Sequence, residues 1–118
     1  MTMAIARAWC SNSYDGDYMQ VKFATTYVSK LIGLLVTPKE DGMILALCGC
    51  NDIHTFGMKY ALDVVFLDET GCVLATYNNV LPNRRIHCRG AKLALERPHC
   101  NETWFCVDDK ISLAKGAL

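Results

Sequence analysis

The residues best suited to chemistry in this chain cluster between positions 48 and 68, in the run CGCNDIHTFGMKYALDVVFLD. Cys48, Cys50 and His54 make a C-x-C-x3-H spacing, and ionised thiols with a neutral imidazole bind soft or borderline metals. A structural zinc site takes two spaced ligand pairs, so a fourth ligand would have to fold back from His87 and Cys88 or from Cys100 and Cys106. The simpler use of Cys48 is to end a buried strand, with Cys50 packing as a small apolar group. On that ground no metal or other cofactor is expected.

A second chemistry needs only two of these groups. An imidazole oriented by Asp63 would hold a neighbouring thiol as thiolate, the nucleophile of a Cys/His-dependent hydrolase or transferase. The more economical use of His54 is to donate one ring N–H to a backbone carbonyl and pin a loop, which suits a residue followed by Thr55 and Gly57. Asp63 heads a strand with Val65 and Leu67 on its face, so its carboxylate is partly desolvated and must find donors. Lys59, Arg84, Arg85 and the backbone N–H groups of the adjoining loop are the candidates. Met58 lies among Phe56, Tyr60 and Phe66, apolar groups that serve either as pocket lining or as core. Between residues 84 and 97, Arg84, Arg85, Arg89, Lys92 and Arg97 stand against a single Glu96, which makes a local anion site if they point one way and solvated charge if they do not.

The elements that must position these groups read mostly as strands. Met19, Val21 and Phe23 alternate with Gln20, Lys22 and Ala24, the pattern of a strand with one buried face at an edge or outer position. TYVSKLIGLLVT places Val28, Leu31, Ile32 and Leu35 at helical spacing, with Gly33 and Pro38 limiting it to a short helix that covers the sheet. MILALC and LDVVFLD carry apolar residues on both faces, as strands buried on two sides do. The turn DETG between LDVVFLD and CVLATY predicts a β-hairpin over residues 62–77. AKLALER carries helix-favouring residues in a strand-like alternation and reads either way. After Pro98, Asn101 is expected to cap a short helix, DDK to turn, and Ile111–Leu113 to close the sheet.

Length and composition limit the rest. A chain of 118 residues with 52% hydrophobic side chains fills one core without disulfides or metal. Twelve basic and twelve acidic side chains cancel, so no global field draws it to nucleic acid or anionic lipid. No P-loop, dinucleotide glycine pattern or aromatic-interleaved basic motif occurs, and specific nucleic-acid binding is not expected. Seven cysteines, an odd number partly inside apolar runs, suit buried thiols in a reducing compartment. With no secretory signal and no apolar stretch of about 18 residues, a cytoplasmic protein without a membrane span is expected.

SKLIGLL, DGMIL, CNDIHTFGMKYALDVVFLDETGCVL, the proline and arginines of Pro82–Arg85, and AKLALER follow one another in an order that resembles the Domain of Unknown Function 192 family. The likeness covers about residues 27–98. It implies a mainly β fold, a jelly-roll-like sandwich or flattened barrel with one or two short helices, and it implies that AKLALE is a strand. The family tends to carry a small-Gly pair after this strand and a Gly-Asp before the last one, where this chain has Pro98-His99-Cys100 and Asp108-Asp109. The resemblance implies architecture and leaves the chemistry open.

The expectation is therefore a loosely ordered leader over residues 1–16 and a single β-rich domain over 17–118. The domain is read as a binding module for a small ligand or a protein, with its site at the His54 loop. His54, Thr55, Met58, Asp63 and Arg85 are its candidate ligand-binding residues. A Cys/His-dependent enzyme is the first alternative, and a metal-binding or redox protein using Cys48, Cys50 and His54 the second.

Overall fold

Every residue from Leu62 to Leu67 is buried, so this strand has no solvent face and the rest of the fold is built on both sides of it. The structure is a computed structural model that describes residues 5–10, 19–24 and 44–115. Nine strands follow in order: β1 Ile5–Cys10, β2 Met19–Ala24, β3 Ile44–Cys48, β4 Asp52–His54, β5 Leu62–Leu67, β6 Val73–Val80, β7 Arg85–His87, β8 Leu93–Pro98 and β9 Ile111–Lys115. Seven form one sheet in the order β6-β5-β8-β3-β2-β1-β9, and β4 and β7 form a separate two-stranded ribbon. The mainly β, flattened-sandwich architecture expected from the sequence is what the chain adopts.

The strands β5, β8 and β3 alternate their side chains between two apolar layers. Leu62, Val64, Phe66, Leu45, Leu47 and Ala94 share one layer with Ile53 of β4, against which Met58, Tyr60 and Ile86 pack. Val65, Leu67, Ile44, Ala46 and Leu95 face the other way, toward Phe105, Ile111 and Trp104. A fully buried side chain such as Phe66 contributes about 1.5–3 kcal/mol by leaving water, so β5 is an anchor of the fold.

The first sixteen residues, expected to be a loose leader, contain β1, which pairs antiparallel with both β2 and β9. For the same reason β2 is not an edge strand: β1 takes one side and β3 pairs parallel on the other. The helix expected over TYVSKLIGLLVT lies outside the described residues. The hairpin of residues 62–77 forms as β5 and β6, with Asp68 accepting from Thr70 N, Thr70 Oγ1 and Cys72 N to fix its turn. AKLALER is strand β8, as the family resemblance implied and its composition left open. No helix forms at Asn101; residues 99–109 run as bends and turns. So short a helix is marginal alone. Here Glu102 O accepts from Arg97 Nη2 at 2.6 Å, while Phe105 packs into the second layer.

The sheet curls until its outer strands touch. Ile111 N donates to Gly71 O at 2.8 Å, Val73 N to Asp109 O at 2.9 Å and Asp108 N to Val73 O at 3.0 Å, around a bridge between Cys72 and Lys110. Gly71, at φ +90°, is required at this seam because a Cβ there would lie 2.3 Å from the Ile111 carbonyl oxygen. Asp108 takes the left-handed conformation, φ +73°, at a position where the family tends to place glycine.

Candidate functional site

The groups expected to converge are divided between two sides of the molecule. The ribbon holds His54 and Arg85. Its register sets Asp52 opposite His87, Ile53 opposite Ile86 and His54 opposite Arg85, so the two isoleucines turn inward and the four polar residues outward. Arg85 grips Asp52 through Nε at 3.1 Å to both carboxylate oxygens and Nη2 at 2.6 Å to Oδ2. That hydrogen bonding holds Asp52 below the usual carboxylate range. The exposed His54 ring lies on Phe56, with centroids 5.5 Å apart and planes inclined by 25°. Phe56 and Leu81 are half exposed beside it, and Arg84 and Arg89 are exposed on the same segment of chain as Arg85.

Thr55 is completely buried and its hydroxyl is committed to the fold. Oγ1 donates to Leu81 O at 2.8 Å and accepts from Arg84 N at 2.9 Å, while the Thr55 amide donates to Arg84 O at 2.8 Å. Thr55 therefore stitches the 81–84 crossing segment to β4 and presents nothing to a ligand. The Met58 side chain is half-buried against the first apolar layer. Cys50 Sγ donates to the Asp52 carbonyl at 3.2 Å. Among the described residues no group of three or more His, Cys, Asp or Glu side chains is placed so as to hold a metal ion.

Asp63 points to the other face, 1% exposed. Its partners are none of Lys59, Arg84 or Arg85. They are Arg97, its direct cross-strand neighbour on β8, with Nε 2.8 Å from Oδ2; His99, with Nδ1 2.8 Å from Oδ1; and the backbone N–H of Asn79, which donates to Oδ1 at 2.9 Å. Asn79 is available because β6 bulges here, setting Asn78 and Asn79 against the single Asp63, with Asn79 at φ +58°. Burial alone would push the Asp63 carboxyl up, but the three donors outweigh it and hold the group below the usual carboxylate range. Arg97 also lies 4.3 Å from the Trp104 ring centre. The result is a carboxylate-anchored imidazole and guanidinium in the wall of a cleft of about 430 Å³ between β6 and residues 97–107.

Glu96, one residue before Arg97, faces the first layer opposite Val64 and Leu45. It is 7% exposed, and no hydrogen-bond or ion-pair partner for it is seen among the described residues. Burial pushes its carboxyl up to about 7. The sequence alone marks Arg97 only as one of a basic cluster set against Glu96, and it does not single out His99 or Trp104. Their significance rests on the β5–β8 register, which joins residues 34 positions apart.

The profile of the DUF192 family, described as an uncharacterised ACR, matches residues 10–110, and the chain belongs to this family. No curated protein matches it significantly. Among solved structures it is similar to a "putative transcription regulator" from Sinorhizobium meliloti 1021, with a TM-score of 0.73 at 13% identity over 94% of this chain and 93% of that one. It is also similar to a protein of unknown function from Novosphingobium aromaticivorans DSM 12444, with a TM-score of 0.68 at 13% identity over 93% and 84% of the two chains. At this identity the likeness establishes the fold. No helix of the described residues is long and apolar enough to cross a membrane.

Proposed function

We propose that this protein is a cytoplasmic protein-binding module whose contact face is the outer side of the β4–β7 ribbon. The reading is carried by one observation: the exposed His54–Phe56 stack sits across from Arg85, and the intervening Thr55 is hydrogen-bonded to the backbone of half-exposed Leu81 and exposed Arg84. An aromatic and an aliphatic anchor rimmed by arginines is the composition of a protein contact, with energy from the apolar groups and orientation from the charges. A protein partner fits this face better than a small ligand. The described clefts of about 430 and 490 Å³ are lined by none of His54, Thr55, Met58 and Arg85, and the ribbon's outward side chains stand on a pair of three-residue strands. Arg84 and Arg89, with Asp52 already occupied by Arg85, make the partner an acidic segment carrying an apolar side chain. The Cys/His enzyme reading has less support: His54 stacks on Phe56, Cys50 is bonded to the Asp52 carbonyl, and burial pushes the Cys88 thiol up, away from a thiolate.

The test is fluorescence anisotropy with a labelled peptide of alternating Glu and Leu against the full chain. Saturable binding that weakens with added salt and falls at least about tenfold in Phe56→Ser and in Arg84→Glu is expected, since a central anchor or a reversed charge is worth over 1 kcal/mol. Binding unchanged by both substitutions, or none at all, would reject this face.

A further inference from the structure

The ribbon leaves the opposite side of the molecule unused, and there the polar groups are held far more firmly. Asp63 is ionised and accepts from the His99 Nδ1 side, so in the neutral ring the proton sits on Nδ1 and Nε2 carries the lone pair. The His99 side chain is one-third exposed and lines the cleft, and in that neutral form it offers the cleft an oriented acceptor. Trp104, in the same wall, supplies the complement: its Nε1–H is buried with no acceptor among the described residues, an unfavourable arrangement until one arrives. Trp104 belongs to the irregular segment of residues 99–109, outside the strand ladder.

Charge and size narrow what that partner is. Arg97 spends Nε on Asp63 and Nη2 on Glu102 O, so the buried ion pair is neutralised within the wall and is not an anion hook. The remaining fixed charge of the cleft belongs to exposed Glu102, which repels anions. Thr76, Asn78 and Asn101 add hydroxyl and amide groups that both donate and accept. A cleft of about 430 Å³ falls within the range of about 300–1,000 Å³ typical of small-molecule sites.

We propose that the cleft between β6 and residues 97–107 binds a small, uncharged, hydroxyl-rich compound of the size of a monosaccharide. One hydroxyl donates to His99 Nε2, another oxygen accepts from the Trp104 indole, and Asp63 acts as the positioning residue that fixes the ring and tautomer of His99. This site is independent of the ribbon and of any protein partner there.

The experiment is an NMR titration of the isotopically labelled full chain with glucose and N-acetylglucosamine, set beside their charged counterparts glucuronate and glucosamine. Saturable shifts of the Trp104 indole and of residues 99–104 with a Kd at or below about 10 mM are expected for a neutral sugar, the affinity of a few well-placed hydrogen bonds. His99→Ala should weaken binding at least about tenfold, the effect of one lost hydrogen bond of about 1.4 kcal/mol. Because His99 also supports Asp63, Asn78→Ala serves as a second variant that leaves the three donors of Asp63 in place, and a loss of about threefold or more is expected from it. Absence of saturable shifts with both neutral sugars, tighter binding of either charged one, or affinity unchanged in both variants would overturn the proposal.

Discussion

Asp63 and Glu96 are both buried carboxyls on paired central strands, one register step apart, and they differ in nearly everything that follows from which way they point. Asp63 opposes Arg97 and looks toward the cleft; Glu96 opposes Val64 and looks into the first apolar layer. The first has three donors within 2.9 Å and is held as a carboxylate. The second has none in view and keeps its proton up to about pH 7. A buried acid is thus a fixed charge or a neutral group according to its immediate donors, with burial common to both.

The largest effect expected from this contrast is the loss of Asp63. Asp63→Ala leaves Arg97, only 11% exposed, without its carboxylate and frees the bulge at Asn79, so urea unfolding at pH 7 should show a loss of about 3–5 kcal/mol. A loss below about 1 kcal/mol would mean that Asp63 does not hold this side together.

Glu96 should show the opposite sign. Its proton affinity is higher in the folded chain than in the unfolded one, so folding stability from this group is complete below about pH 4.5 and declines as pH rises to about 7. Glu96→Gln, which stays neutral, should therefore stabilise the protein at pH 8 by roughly 2–3 kcal/mol and make little difference at pH 4. Asp63, held below its ordinary value of 3.8, contributes stability that is present above that pH and lost as the pH falls through its folded value. The two together favour a stability maximum near pH 4–5 for this pair of groups. A variant with the same pH profile as the parent chain would place a donor on Glu96.

The smallest effect belongs to the exposed face. Arg85→Ala removes three short contacts to Asp52, yet the Arg85 side chain is 71% exposed, and water replaces the contacts. Thermal unfolding should shift far less than in Asp63→Ala. A shift as large as that of Asp63→Ala would erase the distinction between the two sides.

These contrasts explain what the sequence could and could not disclose. The run Leu62–Leu67 announced a strand without a wet face because no position in it is polar except Asp63, and DETG announced its hairpin because Asp68 and Gly71 are turn formers of known geometry. AKLALER could not declare itself by composition; tertiary pairing with β3 and β5 overrode its helical preference. The His54 loop was legible as polar and exposed, but period-two alternation sends Ile53 inward and His54 outward, while Asp63 belongs to another strand with its own phase. Whether those groups meet depends on register and sheet order. The bulge that offers Asn79 to Asp63 adds one residue that no local pattern marks.

The seam at Gly71 and Ile111 also sets an order of events. Strand β9 pairs with β1 and touches the start of β6, so the outer edge of the β5–β6 hairpin stays open until residues 111–115 dock. Contacts this distant along the chain form slowly, which makes closure of the sheet the natural late step of folding. Until β9 is in place that edge is open to other chains, and a chaperone covering the hairpin would protect it.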